Sequence, residues 1–580
     1  MCSEKKVRHI FPYALIASIL ILAMMDTGVF YFPSLSTSLL PDFLICCLSV
    51  IMLGFIVKVK NNGLFFLFVW IVFVGVYSLF VPCERYRLIY IVSTLLFAID
   101  LICLVEKERL KLEYVENVFL LGAFLQILTI LLQIFRIVPS CSKYFLVTGL
   151  NENPSATAIF LVLCLPFIVK RLNIFRGNLK VFFLFFFFLM IASIFVLNCR
   201  TAYVGLVVVL CVSCFKQFKC LIKKFSLPCR MAAFALAMGM TLLGVYGLYK
   251  MKENSSDGRI FIWKNSIQMV YEKPLGYGYG MFEKDYNLKQ ATYFQYKERS
   301  EREILLANQV FMPYNDTLEQ CVEGGLLGGT FYLLFYIVMI CKSYKRKKND
   351  TLAIALCAFV MSMFNFLYTY PIAWLLLMYS YAEASLGEER EEWKAYLSRK
   401  YSCAFVGVLG IFVIILLNTN LNFIKAQYQL KKINQLLDKH IIVDEVFLAS
   451  LKDEVSTSEL YYTSLAKNFL LERKYECAID ALNVAKKYTS SPSVYLSMAT
   501  NYAKCDNISE AIQCVLIAKG IIPHHFVPDF LLMELYVKCG ESKKALMQAR
   551  HILKKPIKVH SEKVDEIRKE AFKYIQAYEK

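Results

Sequence analysis

The chain has 580 residues, 58% hydrophobic and 19% charged, with a mean hydropathy of +0.49. A soluble globular chain carries roughly 25% charge, and no water-soluble fold hides this much apolar surface, so an ordinary cytosolic enzyme and a disordered chain are both excluded. The 20 cysteines are scattered through apolar runs, which excludes a small disulfide scaffold, and the net charge of +19 would suggest nucleic acid were it not for where the basic residues fall.

A helix needs about 20 mostly apolar residues to cross a hydrocarbon core. Such stretches occur near 10–30, 38–57, 63–81, 88–105, 118–137, 153–169, 180–198, 202–217, 231–249, 322–341, 351–368, 371–386 and 402–419. They predict thirteen spans, with Pro371 dividing 351–368 from 371–386. No A-x-A cleavage site lies near Ala23, so the first stretch reads as an uncleaved span. Every second loop is basic: Lys58 and Lys60; Lys107, Arg109 and Lys111; Lys170, Arg171 and Arg176; Lys216 to Arg230; Lys342 to Lys348; Arg390 to Lys400. Basic loops stay on the cytoplasmic side, which explains much of the charge without nucleic acid. The polar insertion at 250–321 is then expected outside the cytoplasm, and an odd number of spans puts the chain after residue 420 there too.

Four polar motifs fall on that outer side. Gly149-Leu-Asn-Glu-Asn-Pro154, with Asn153, opens one span. Asn198-Cys-Arg-Thr-Ala202 ends another, and an arginine at a membrane surface points to an anionic ligand or to a snorkelling side chain. In Gly258 to Tyr271, Ile260, Trp263, Ile267 and Val270 recur at helical spacing, with Trp263 suited to a membrane interface. Asp257 or Ser256 is expected to cap that helix, with Arg259 in its first turn. The following Gly276-Tyr-Gly-Tyr-Gly280, including Gly278, follows no strand and opens no helix, so it reads as a tight turn and not a nucleotide loop. Met312 to Gly328 brings Tyr314, Asn315, Asp316 and Glu323 to the membrane surface.

After residue 420 the chain turns polar. Ala478, Ala511 and Ala545 are spaced by 33 and 34, and Ala466 and Ala499, like Phe469, Tyr502 and Tyr536, keep the same period. That period, with small residues where two helices meet, is the tetratricopeptide pattern. It predicts repeats near 458–491, 492–525 and 526–558 and a capping helix near 561–578. Cys477, Cys505, Cys514 and Cys539 are expected to pack as small buried hydrophobes. The expected domains are a membrane domain at 1–420, containing the 250–321 loop, and a helical-repeat domain at 421–580. The expected fold class is all-α: a polytopic membrane protein of 12–13 spans plus an α-solenoid of about three repeats.

The order G-x-x-x-N-P, x-x-R-x-A, G-R-x-x-x-W with P-x-G-x-G, and N-D-x-L with E-x-G-x-x-G, over about 149–385, resembles the O-antigen ligase and polymerase superfamily. The resemblance implies a GT-C-like helical fold and an inverting glycosyltransferase of the bacterial inner membrane that needs no metal or nucleotide sugar. It implies a glycan donor carried on undecaprenyl diphosphate and an acceptor hydroxyl on lipid A-core, a glycan or a protein. By motif match, Arg200 and Arg259 would hold the diphosphate, and Tyr314, Asn315 and Glu323 would complete the catalytic set, with Asn153, Trp263, Asp316 and Gly278 as substrate contacts. Many ligases of this kind carry His where Tyr314 stands here. Tyrosine is a poor base at neutral pH but a good hydrogen-bond donor, and Glu323 or Asp316 is the alternative proton acceptor. No cofactor is implied, and the repeat region would either recruit a protein or glycan partner or serve as a docking or stabilising appendage with no ligand of its own.

Two rival classes remain at this stage. Asp26, Asp42 and Asp100 lie in apolar spans, as a transporter or flippase would need, although Asp26 and Asp42 are read as lying near span ends. A non-catalytic scaffold is the other. The six His show no metal spacing beyond adjacent His524-His525, which is expected in a solvated turn.

Overall fold

A computed structural model describes residues 2–25, 39–56, 61–142, 144–213, 215, 226, 244, 246–247, 249–295, 299–386 and 399–579. Among them every regular element is a helix. The first eight are α1 (Cys2–Met24), α2 (Leu39–Ile56), α3 (Asn62–Phe80), α4 (Arg85–Glu106), α5 (Leu112–Ile134), α6 (Pro154–Ile174), α7 (Gly177–Val196) and α8 (Arg200–Ser213). The polar insertion holds α9 (Glu253–Glu272), α10 (Phe282–Gln295), α11 (Glu301–Leu306) and α12 (Asp316–Glu323). Then come α13 (Gly325–Lys345), α14 (Asn349–Ser362), α15 (Pro371–Ser385) and the 40-residue α16 (Arg399–Asp438).

Among the described residues seven helices are long and apolar enough to cross a membrane: α3 to α7, α13 and the Gly410–Asp438 part of α16. Shorter apolar helices stand at Phe11–Met24, Leu39–Met52, Arg200–Ser213 and Asn349–Ser362. Pro371 opens α15, where a proline needs no intrahelical N–H bond, so the expected pair of apolar segments is two helices joined by residues 363–370. Asp26, most of the expected span at 231–249 and the basic runs at 58–60, 216–225 and 390–398 lie outside the described residues.

Burial ranks the helices. In α4 all residues from Ile89 to Leu104 are buried, and α15 is buried throughout, with Trp374 Nε1 donating to Thr94 Oγ1 at 3.1 Å. These two form the bundle centre. By contrast α7 exposes Phe182, Phe185 and Phe188, an apolar surface fit for lipid. Asp42 is not at a solvated end: it is buried, as is Asp100, and they accept from Ser93 Oγ and Ser49 Oγ, each at 2.6 Å. The α2–α4 contact supplies both hydroxyls, which lowers the cost of placing carboxyls there.

Loop charge sorts the two ends of the bundle. Lys170 meets Glu116 at 2.6 Å and Asp350 at 3.0 Å, Arg171 meets Glu113 at 2.6 Å, and Lys348 donates to the Glu383 carbonyl at 2.6 Å, all at one end. The insertion α9–α12 lies at the other.

The tail begins inside α16, so the expected boundary at 420/421 falls within a continuous helix. Buried Phe423, Leu430, Ile433 and Leu437 of that helix share a core with Tyr461 and Ala466. After α17 (Glu445–Ser450) and α18 (Lys452–Val455) come three helix pairs: α19 (Glu459–Leu471) with α20 (Tyr475–Ala485), α21 (Pro492–Lys504) with α22 (Ile508–Ile521), and α23 (Phe526–Lys538) with α24 (Ser542–Lys554). A final helix, α25 (Glu562–Glu579), follows. Buried Ala478, Ala499, Ala511 and Ala545 lie on the faces that meet. The cysteine expectation holds only for Cys514: Cys477 is exposed in the first turn of α20, and Cys505 and Cys539 are exposed because they cap the C-termini of α21 and α23 instead of lying on a packed helix face. His524 is half-buried instead of solvated, and burial pushes its pKa down to about 4.

The tail docks on the insertion. Gly520 of α22 lies so close to α10 that a Cβ there would be 2.7 Å from the Ala291 carbonyl oxygen. Gln290 Nε2 donates to the Ile521 carbonyl at 2.6 Å, and Thr489 Oγ1 donates to Glu283 at 3.1 Å. Tail and insertion therefore share one side of the bundle, whatever the span count.

Candidate functional site

The insertion has its own small core of Ile262, Met269, Phe282, Tyr286, Val310 and Val322, which fixes α9, α10 and α12 against one another. Helix α9 begins at Glu253, a turn earlier than expected. Asp257 does not cap it. Its carboxylate is held inside the helix by the Tyr249 hydroxyl at 2.7 Å and by Arg302. Arg259 therefore stands in the second turn, away from the free N–H groups. The buried face of α9 is Phe261, Ile262, Asn265, Ser266 and Met269, whereas Ile260 and Ile267 are exposed.

Arg200 begins α8, just after Asn198 turns the chain through a left-handed conformation at φ +47°. Its Nη1 donates to Ser256 Oγ at 2.8 Å. One turn further along α9, Arg259 donates to the Phe364 carbonyl at 2.5 Å, and its guanidinium lies 4.9 Å from the Tyr314 ring centre. Burial first, and the neighbouring charge of Arg200 second, pull the Arg259 pKa below its ordinary value. Arginine stays charged regardless. No carboxylate lies within ion-pair reach of Arg259 among the described residues. Two guanidiniums so close, one of them largely desolvated and without an acid, make a site that gains from an anion.

Trp263, the next turn of α9, donates Nε1 to the Pro313 carbonyl at 2.8 Å and packs on Phe364. That bond holds the chain where Tyr314 turns, at φ +55°, to stand beneath Arg259 and against Phe366. A bulky residue in the left-handed region costs about 1–3 kcal/mol and marks a position where geometry is imposed. The Tyr314 hydroxyl has no hydrogen-bond partner among the described residues.

Below this lies a second layer, with Asp316, Glu319 and Glu323 buried and Asn315 and Arg87 partly so. Asn315 caps α12, accepting from Leu318 N at 3.0 Å. Asp316 is completely buried and accepts from the Tyr332 hydroxyl and the Tyr368 N–H, both at 3.0 Å. Burial pushes its pKa up to about 7. Glu319 and Glu323 both pair with Arg87 of α4, the second at 3.6 Å, while Arg87 lies 4.5 Å over the Tyr368 ring. The Glu323 carbonyl accepts from Gly278 N at 2.9 Å and from the Tyr77 hydroxyl at 2.6 Å. Gly278, at φ +113°, passes so close to Pro82 that a Cβ would sit 1.9 Å from its carbonyl oxygen.

Thus Arg200, Arg259, Trp263 and Tyr314 form one constellation. Asn315 and Asp316 form its floor, and Glu323 and Gly278 belong to the adjoining Arg87 cluster. Asn153 caps α6, accepting from Ser155 N at 2.9 Å, and contributes to a loop held by Gln126 and Gln133. Sequence reasoning missed Arg87 and the 363–370 connection, whose Phe364 carbonyl and Tyr368 N–H bind Arg259 and Asp316.

Residues 185–333 match the O-antigen ligase family. This segment, about a quarter of the chain, is what ties the protein by similarity to that family. The match runs from α7 into α13 and contains both arginines, Trp263, Gly278, Tyr314, Asn315, Asp316 and Glu323. Arg87, Asn153 and the whole tail lie outside it. No curated protein matches this O-antigen ligase-like chain at a significant level.

Proposed function

We propose that the chain is a membrane glycosyltransferase that moves a glycan from a polyprenyl diphosphate, undecaprenyl diphosphate in a bacterial inner membrane, to an acceptor hydroxyl. The match of residues 185–333 to the O-antigen ligase family supports a part in assembly of O-antigen or a related surface polysaccharide. The observation that carries the reading is the Arg200–Arg259 pair, close enough for the Arg200 charge to lower the Arg259 pKa and next to a phenol whose hydroxyl has no partner among the described residues. In the transfer, the acceptor oxygen bonds to the anomeric carbon as the bond from that carbon to the diphosphate breaks. The electron pair leaves with the diphosphate, and the guanidiniums stabilise the charge that grows there. Tyr314 donates a hydrogen bond to the same phosphate oxygens or to the acceptor. The acceptor proton passes to the released diphosphate, because Asp316 and Glu323 are buried against Tyr332, Tyr368 and Arg87. The charge-poor end of the bundle, with insertion and tail, faces the periplasm in this reading. The tail is a tetratricopeptide-like module. Lipid A-core, a growing glycan and a protein are the acceptor classes.

Deleting the gene in its host and analysing lipid-linked intermediates tests this. Full-length glycan stranded on the carrier supports transfer to a final acceptor. Single repeat units on the carrier identify a polymerase. No change in any glycan would sink the proposal.

A further inference from the structure

Where the tail docks on the insertion, two cavities open, the second of them next to Arg200. One, of about 710 Å³, lies between the end of α10, the start of α11 and the α22 and α24 ends, with Phe294, Arg299, Lys519 and Lys555 on its wall. The other, of about 680 Å³, lies between the first turn of α9, α11 and the segment after α24, with Ser255, Arg302 and Lys558 on its wall. They adjoin along α11, whose Ile304 faces the first and whose Leu305 faces the second, and along Lys555 to Lys558. Ser255 is 3.4 Å from Arg200 Nη2, so the second cavity abuts the proposed diphosphate site.

The walls carry five Lys and Arg side chains against one acid, Glu301. Behind the wall, buried Asp529 pairs with Lys519 at 2.8 Å and with Lys555, and Asp257 pairs with Arg302. Arg299 and Lys558 have no ion pair among the described residues. Arg299 instead lies 3.6 Å over the Tyr293 ring, next to half-exposed Phe294. An aromatic face beside fixed cations suits a sugar chain bearing carboxylates or phosphates: the ring stacks on C–H faces and the cations take the acid groups.

We infer that the tail supplies one wall of a cleft for an anionic glycan, in which Lys558 of the tail and Arg299 of the insertion bind acidic sugars leading to or from Arg200. This rests on the transferase reading for its direction, but not for its ligand chemistry.

The test uses the full-length protein in nanodiscs and two end-labelled probes of equal length, octagalacturonate and maltooctaose. The acidic probe is expected to bind about tenfold tighter than the neutral one, and the double variant R299Q/K558Q to lose about tenfold of that binding. Arg259→Ala is expected to keep it, because that side chain is on neither wall. Equal binding of the two probes, or undiminished binding by the double variant, would overturn the inference. Intact probe binding by a wild-type protein that transfers no glycan would instead remove the transferase reading and leave the cleft standing. Competition then identifies the source. Displacement of the probe by the carrier-lipid fraction of a deletion strain assigns the cleft to the donor glycan, and displacement by its lipid A-core fraction to the acceptor. Displacement by neither counts against the cleft.

Discussion

Arg259 and Tyr314 meet ring to guanidinium at 4.9 Å, and Tyr314 reaches that position only through a left-handed backbone at φ +55°. The stack orients a cation that has spent one donor on the Phe364 carbonyl and keeps others for a ligand. Holding that geometry before the ligand arrives is what electrostatic catalysis requires.

Arg259→Ala should therefore lower transfer by about 100-fold or more while expression and thermal stability stay normal. Arg259→Lys should recover only part, since an ammonium cannot make the planar, paired contacts of a guanidinium. Transfer is read as the amount of glycan stranded on the carrier lipid. Near-normal turnover in both variants would move the site elsewhere.

Tyr314→His should retain transfer at wild-type level or above, because His tolerates the left-handed region better than most residues and adds a base. Tyr314→Phe keeps the stack on Arg259 but removes the hydroxyl, so a loss there with unchanged stability assigns the hydroxyl a part in the reaction. If Phe is as active as Tyr, the ring alone matters.

Much of this constellation was legible before any coordinates. Arg259 and Trp263 are one helical turn apart, and the four motifs stand in an order that the resemblance makes meaningful. What escaped was carried by groups without side-chain identity: the Phe364 carbonyl and the Tyr368 N–H. Arg87 did leave a signal, as one of the charges in Glu84-Arg85-Tyr86-Arg87, between two apolar stretches on the side whose short connections are otherwise charge-poor. Gly520 left another, since glycine inside a helix is costly unless a neighbour needs the space, here the Ala291 backbone. The early start of α9 was hidden because Asp257, a good cap by type, is engaged from within the helix by Tyr249 and Arg302.

Asp316 predicts a pH signature. Its folded pKa, about 7, is above its unfolded value of 3.8 because burial penalises the carboxylate. Between those values the folded protein holds a proton that the unfolded chain has lost. The group therefore costs nothing below pH 3.8, costs progressively more up to about pH 7, and costs the full amount above. Asp316→Asn keeps an acceptor for Tyr332 and Tyr368 and does not titrate. Its melting temperature minus that of wild type should rise from pH 4 to pH 7. A flat difference would mean that Asp316 is ionised in the folded state throughout.

Asn315 and Gly278 separate structural from substrate roles. If Asn315 serves α12 as its cap, Asn315→Ser should leave transfer and stability near wild type, and Asn315→Ala should cost about 1 kcal/mol of stability with a matching, modest fall in transfer. A large loss of transfer by Asn315→Ala at unchanged melting temperature would make it a substrate contact instead. Gly278→Ala should fail at folding, not at catalysis. Its Cβ would meet the backbone of Pro82 at 1.9 Å, and a backbone cannot rotate away as a side chain can. The turn it anchors also binds the Glu323 carbonyl, so its loss releases Glu323 beside Arg87. The expected result is little extractable monomer by detergent gel filtration, and a well-folded Gly278→Ala with impaired glycan binding would reverse the assignment.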